Sequence, residues 1–109
     1  PKIASMPALK WNPLGANTKT PTSKPAGGTF DVIFINSTSK PVQLFWMTPN
    51  GGRKHYATLP PGKQRRQSTR PGAIWQIAGG PVATAKPFGY FKVGDRTAKA
   101  VVPEEVAKK

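Results

Sequence analysis

Residues 56–75 read YATLPPGKQRRQSTRPGAIW. Two strand-like runs flank the corner Leu59-Pro60-Pro61-Gly62, where the prolines lock φ and remove backbone donors, so no regular element passes through. Downstream, Gln64–Thr69 and Ala73–Ile77 read as strands separated by Arg70-Pro71-Gly72. Upstream, a short strand from Arg53 to Thr58 leads into the corner. It is preceded by Pro49-Asn50-Gly51-Gly52, a hairpin signal because Asn-Gly supplies the positive φ angles of a tight turn.

Alternation of apolar residues continues outward in both directions. Val42, Leu44 and Trp46 share one face of a strand, with Gln43, Phe45 and Met47 on the other. Asn36-Ser37-Thr38-Ser39 is turn chemistry. Before it, Phe30, Val32 and Phe34 point one way and Ile33 and Ile35 the other, the pattern of a strand buried on both faces. Beyond Trp75, the Ala78-Gly79-Gly80-Pro81 loop breaks the sheet. Phe88–Val93 and Thr97–Val102 are expected to form a last hairpin across Gly94-Asp95. No stretch sustains a helical period. Short strands at regular spacing with turn residues between them predict an all-β fold, a small antiparallel β-sandwich.

The domain organisation expected is an extended basic arm over residues 1–28, a sandwich over 29–102 and a charged tail over 103–109, frayed or briefly helical. Prolines at positions 1, 7, 13, 21 and 25 suppress helix and sheet in the arm, and Asn17 to Gly28 has a linker's composition. Its apolar anchors are Ile3, Met6, Leu9, Trp11 and Leu14, which can pack back on the same domain or lie across another subunit. A start at Pro1 fits removal of an initiator methionine, or a mature chain whose leader is missing; no targeting segment is visible. The sequence does not fix a compartment; an extracytoplasmic one, periplasmic or secreted, is favoured over the cytoplasm.

Charge is the strongest compositional signal. Seventeen Lys and Arg face four Asp and Glu, giving a net charge of +13, and no acid stands between Asp31 and Asp95. Such a surface attracts anionic partners, whether nucleic acid, lipid headgroups or an acidic protein face, although it can also be merely solvated. The chain of 109 residues is one small domain with a modest core. It has no cysteine and one histidine, His55, which excludes disulfides, thiolate sites and histidine-based metal clusters. No apolar run is long enough to cross a bilayer. Asp31 and Asp95 fall in different strands, Glu104 and Glu105 in the tail, and no glycine-rich phosphate cradle precedes a helix. An enzyme is therefore not expected, nor a cofactor, a metal or a small-molecule substrate.

The spacing of Asn36, Trp46 and Tyr56, the corner Thr58-Leu59-Pro60-Pro61-Gly62, the pair Arg65-Arg66, Gly72 and Trp75 together resemble the β-domain of the von Hippel–Lindau tumour suppressor family, from about Phe30 to Val102. The resemblance implies a domain that captures a hydroxylated proline in an extended peptide with an aromatic pocket. It places Trp46, Tyr56 and Trp75 at the pocket's aromatic walls and Thr69 at a serine that bonds the ligand hydroxyl. Ala73 stands where the family has a histidine completing that contact, and Arg70 replaces a flanking tyrosine. Discrimination for a hydroxyl needs a buried polar partner, so selectivity for hydroxyproline over proline is expected to be weakened or lost. The helical domain that follows the sandwich in the tumour suppressor has no counterpart in this sequence, and the ligase function it serves is not implied.

Three functional readings follow. The first is a non-catalytic protein-interaction module that uses Trp46, Tyr56, Thr69 and Trp75 to hold an extended proline-containing or acidic segment. In it the basic residues Arg53, Lys54, Lys63, Arg65, Arg66 and Arg70, several of which could share a face, set orientation. The second is an accessory subunit stapled to a larger, membrane-associated or other, protein complex by its arm and basic face. The third is nucleic-acid binding by charge, with Tyr56 stacking, although no nucleic-acid motif of defined spacing is present. An acidic protein is the preferred partner. Trp46 and Trp75 can equally be core residues of the sandwich.

Overall fold

A computed structural model describes residues 6–14 and 19–104 of the chain. They form two sheets packed face to face. In chain order the strands are β1 (Asn12–Pro13), β2 (Phe30–Asn36), β3 (Val42–Met47), β4 (Arg53–Leu59), β5 (Gln64–Thr69), β6 (Ile74–Gly79), β7 (Lys86–Lys92) and β8 (Ala98–Val102). One sheet has the order β1-β7-β6-β3-β4 and the other β5-β2-β8. A 3-10 turn, Val82–Thr84, precedes β7. Among the described residues no helix is long and apolar enough to cross a membrane.

The core lies where the period-two pattern puts it. Val32 and Phe34 of β2 meet Val42 and Leu44 of β3, Trp75 and Ile77 of β6, Phe91 of β7, and Ala100 and Val102 of β8. Phe34 sits 5.5 Å from Trp75 and 6.3 Å from Phe91 between ring centroids, tilted and edge-on as ring quadrupoles prefer. Ile33, on the other side of β2, is also buried, as its doubly apolar pattern predicts. Phe45 points away from the main core and packs with Ala78 and Ala85 on the outer face of the five-stranded sheet.

The expected hairpin of the last two strands does not form. β7 pairs with β6 along one edge and with β1 along the other, so it has no edge left for β8. β8 crosses to the other sheet and runs parallel to β2, whose opposite edge holds β5. The arm also differs from expectation, because Asn12 and Pro13 add a short strand opposite Tyr90 and Gly89. Proline is tolerated there because the strand is at a sheet edge and its missing donor is not needed. Ala78 and Gly79, expected in a loop, close β6, and Gly79 is needed because a Cβ there would come within 2.4 Å of the Phe88 ring. At Pro49-Asn50-Gly51-Gly52 the chain does turn, but only Gly51 has a positive φ; Thr48 closes the loop by accepting from Gly51 N (3.1 Å) and donating to Gly52 O (2.9 Å).

Asn36 anchors the Pro-Pro-Gly corner. Fully buried at the end of β2, its Nδ2 donates to the carbonyls of Lys40 (2.8 Å), Leu59 (2.9 Å) and Pro60 (3.2 Å). Its Oδ1 accepts from the backbone and hydroxyl of Thr38. Its main chain adds a bond to Lys63 O and one from Gly62 N, both 2.9 Å. One side chain thus satisfies the carbonyls that a turn between sheets would otherwise bury unpaired.

Candidate peptide-binding site

A bulge in β4 opens the site. Leu44 pairs with Ala57 and Phe45 with His55, so Tyr56 is the extra residue with no partner on β3. A bulge re-aims side chains. His55 lies against Phe45 on the outer face (5.3 Å between centroids), while Tyr56 turns to the inter-sheet side. There it meets Trp75 edge-on, 4.9 Å between centroids at 81°.

Trp46 and Trp75 are directly paired across β3 and β6, so both indoles stand on the inner face. Trp75 is buried, and its Nε1 donates to Thr69 Oγ1 at 3.0 Å, so Thr69, only 6% exposed, already holds one hydrogen bond inside the protein. Trp46 is half-buried, and Tyr56 is 37% exposed, one of only two large apolar side chains left open among the described residues.

These four side chains line one cavity of ≈ 310 Å³, together with Pro25, Thr29, Ser68, Arg70 and Ala73. That size is within the range of small-ligand clefts. The turn that joins the lining residues Arg70 and Ala73 is fixed at Gly72, which has φ +85 and donates to Val93 O at 3.1 Å, while Val93 N returns a bond to Ala73 O at 2.9 Å. The cavity therefore combines three aromatic walls with the hydroxyl-bearing residues Thr29, Tyr56 and Thr69 and a single charged residue, Arg70.

The basic residues do not share a face. Lys54 stands at the mouth, its Nζ 5.6 Å from the Tyr56 ring centroid. Arg65 and Thr69 are on one side of β5 and Arg66 on the other, by their register opposite Phe34, Phe30 and Ile33. Arg65 Nε donates to Gln67 Oε1 at 3.0 Å, and Arg66 pairs with Asp31 at 3.2 Å on the outside of the three-stranded sheet. Lys63 lies exposed in the corner turn. Arg53 is held over the Phe45 ring (4.1 Å) and donates to Gln76 Oε1 (2.8 Å) and Ala85 O (3.1 Å), on the outer face of the other sheet. The set is divided because β4 and β5, adjacent in sequence, belong to different sheets.

Of the arm anchors, Leu9 and Trp11 pack against the main core, Trp11 at 5.2 Å from Phe91. Met6 and Leu14 are half-buried, and Ile3 lies outside the described residues. Asn36 and Ser23 were not singled out by role from the sequence. Both are polar residues that the fold buries completely.

The model of the VHL β domain matches residues 22–80. The chain belongs to the VHL β-domain family. This VHL β domain is thereby placed among protein-interaction modules, a family of non-enzymatic binding domains. The matched span covers every residue lining the cavity and reaches back to Thr22, ahead of the Phe30 boundary drawn from motif spacing. It stops at Gly80, before β7 and β8. Among curated proteins none matches the chain.

Proposed function

We propose that this VHL β domain captures an extended, proline-containing segment of a partner protein, holding a proline ring between Trp46, Tyr56 and Trp75. The observation that carries the reading is that Trp46, Tyr56, Thr69 and Trp75, from four different strands, line one open cavity. An aromatic slot suits a proline ring, because the ring is apolar, rigid and loses little entropy on binding. Lys54 and Arg70, with no acidic partner among the described residues, favour acidic side chains next to the bound proline. Each such exposed pair contributes little, about 0–1 kcal/mol, so charge sets preference and encounter rate while the aromatic slot supplies affinity.

The slot accepts plain proline as well as its hydroxylated form. Thr69 Oγ1 is engaged by Trp75, and Ala73 presents a methyl group, so a ligand hydroxyl finds no dedicated buried pair. A fluorescein-labelled peptide with a central proline between aspartates, read by anisotropy, tests this. Proline and hydroxyproline versions are expected to bind within about threefold of each other, and an alanine version at least about tenfold more weakly. Tyr56→Ala is expected to remove binding to all three; unchanged affinity would eliminate the cavity as the site.

The arm favours this reading over the accessory-subunit one. Its described residues bond to their own sandwich, Leu9 N to Lys99 O at 2.8 Å and Leu14 N to Phe88 O at 3.0 Å, which leaves them engaged in cis.

A further inference from the structure

One wall of the cavity is not made by the sandwich strands. Pro25, from the arm, lines it together with Ala73 and Trp75. β3 pairs with β6 only as far as Trp46 opposite Trp75, so Ile74, the next residue of β6, has no β3 residue beside it. Its backbone is completed by one arm side chain. Ile74 N donates to Ser23 Oγ at 2.7 Å, and the same hydroxyl donates to Ile74 O at 3.3 Å, with Ser23 0% exposed. On either side, Lys24 N donates to Gly72 O and Ala26 N to Pro71 O, both at 3.0 Å, and Gln76 Nε2 donates to Thr20 Oγ1 at 2.7 Å. The contact is so close that a Cβ on Gly72 would lie 2.3 Å from Lys24 O.

We propose that Ser23 is a positioning residue for the peptide site: its clasp on Ile74 holds Pro25 as a wall of the cavity, so that arm docking and ligand binding are coupled. The inference rests on the peptide-capture reading. Without the clasp, a buried amide and carbonyl of β6 lose their partner right between the two cavity-lining residues Ala73 and Trp75. Coupling is reciprocal: a ligand that packs on Pro25 favours the docked arm by the factor by which the docked arm favours the ligand.

The test uses the full chain, its Ser23→Ala and Pro25→Gly variants, the same proline peptide, and hydrogen exchange followed by NMR. Ser23→Ala is expected to speed exchange at the Lys24 and Ala26 amides and to weaken the peptide about tenfold. Pro25→Gly is expected to weaken it comparably while the Ile74 amide stays protected. In the unaltered chain the peptide should slow exchange at Lys24 and Ala26. Freed arm amides with unchanged peptide affinity would overturn the proposal, as would full affinity in Pro25→Gly. If the peptide fails to bind the unaltered chain, the peptide reading falls and the wall is judged by the Trp75 indole proton. Ser23→Ala and Pro25→Gly should then speed its exchange, and an unchanged rate beside freed arm amides would reject the wall as well.

Discussion

Asn36 is the residue on which the corner between the sheets depends. Three carbonyls and two Thr38 donors converge on its amide, all of them where the chain leaves one sheet for the other. Asn36→Ala removes every one of these bonds and leaves the buried carbonyl of Leu59 without its side-chain donor. An unsatisfied buried group costs about 1–3 kcal/mol, and the effect here should reach at least the upper end of that range. Urea denaturation would read it as a lower midpoint with an unchanged slope; a shift worth less than about 0.5 kcal/mol would mean that water replaces the side chain at the corner. Asn36→Asp should not rescue the loss, because a carboxylate offers no donor to Leu59 or Pro60. That Trp46, Tyr56, Thr69 and Trp75 would stand together came from the family resemblance, and the structure lines one cavity with them. Asn36 was visible as spacing but not as a clamp, and Ser23 not at all. A serine in a linker-like tract carries no sign that a strand will run out of partners beside it.

At the scale of elements, alternation was a good guide to local strands and a poor one to their partners. Which face of β2 and β3 enters the core follows from period two, and the structure keeps it. The bulge at Tyr56 breaks that period, so strict alternation would set Tyr56 and Ala57 on opposite faces although Tyr56 turns inward to Trp75 and Ala57 packs on the core. The partner of β8 was not legible because β7's second edge is occupied by a piece of the arm, a contact between residues far apart in sequence. That arm strand is testable. Trp11 lies over Gly89, where a Cβ would sit 2.4 Å from its ring and 2.7 Å from Asn12 O. Gly89→Val therefore cannot coexist with the docked strand. It should expel β1, separate Trp11 from Phe91 and cost about 2 kcal/mol in urea denaturation, with a red shift of the tryptophan emission. An unaltered midpoint and spectrum would show that β1 contributes nothing to the fold.

For the whole molecule the excess of positive charge decides how salt acts. The ion pairs Arg66–Asp31 and Arg96–Asp95 are both solvent-exposed, so screening them removes little stability. Against this stands a formal charge of +13 on 109 residues, which repels itself in the compact state more than in the expanded one. Salt relieves that repulsion, because the screening length falls from about 30 Å at 0.01 M to about 10 Å at 0.1 M. The span of the described fold is 33 × 32 × 20 Å, so at the lower salt charges feel one another across the molecule, and at the higher only across a side of it. The melting temperature is therefore expected to rise over that interval. Affinity for an aspartate-bearing peptide should fall over the same interval, since Lys54 and Arg70 are screened from the ligand's acids, whereas a neutral proline peptide should bind almost unchanged. The two readouts move in opposite directions from one cause, which separates a charge effect on the fold from one on the site. A melting temperature that falls with salt would mean that the exposed pairs matter more than the net charge. A neutral peptide as salt-sensitive as the acidic one would mean that the cations at the mouth do not meet the ligand.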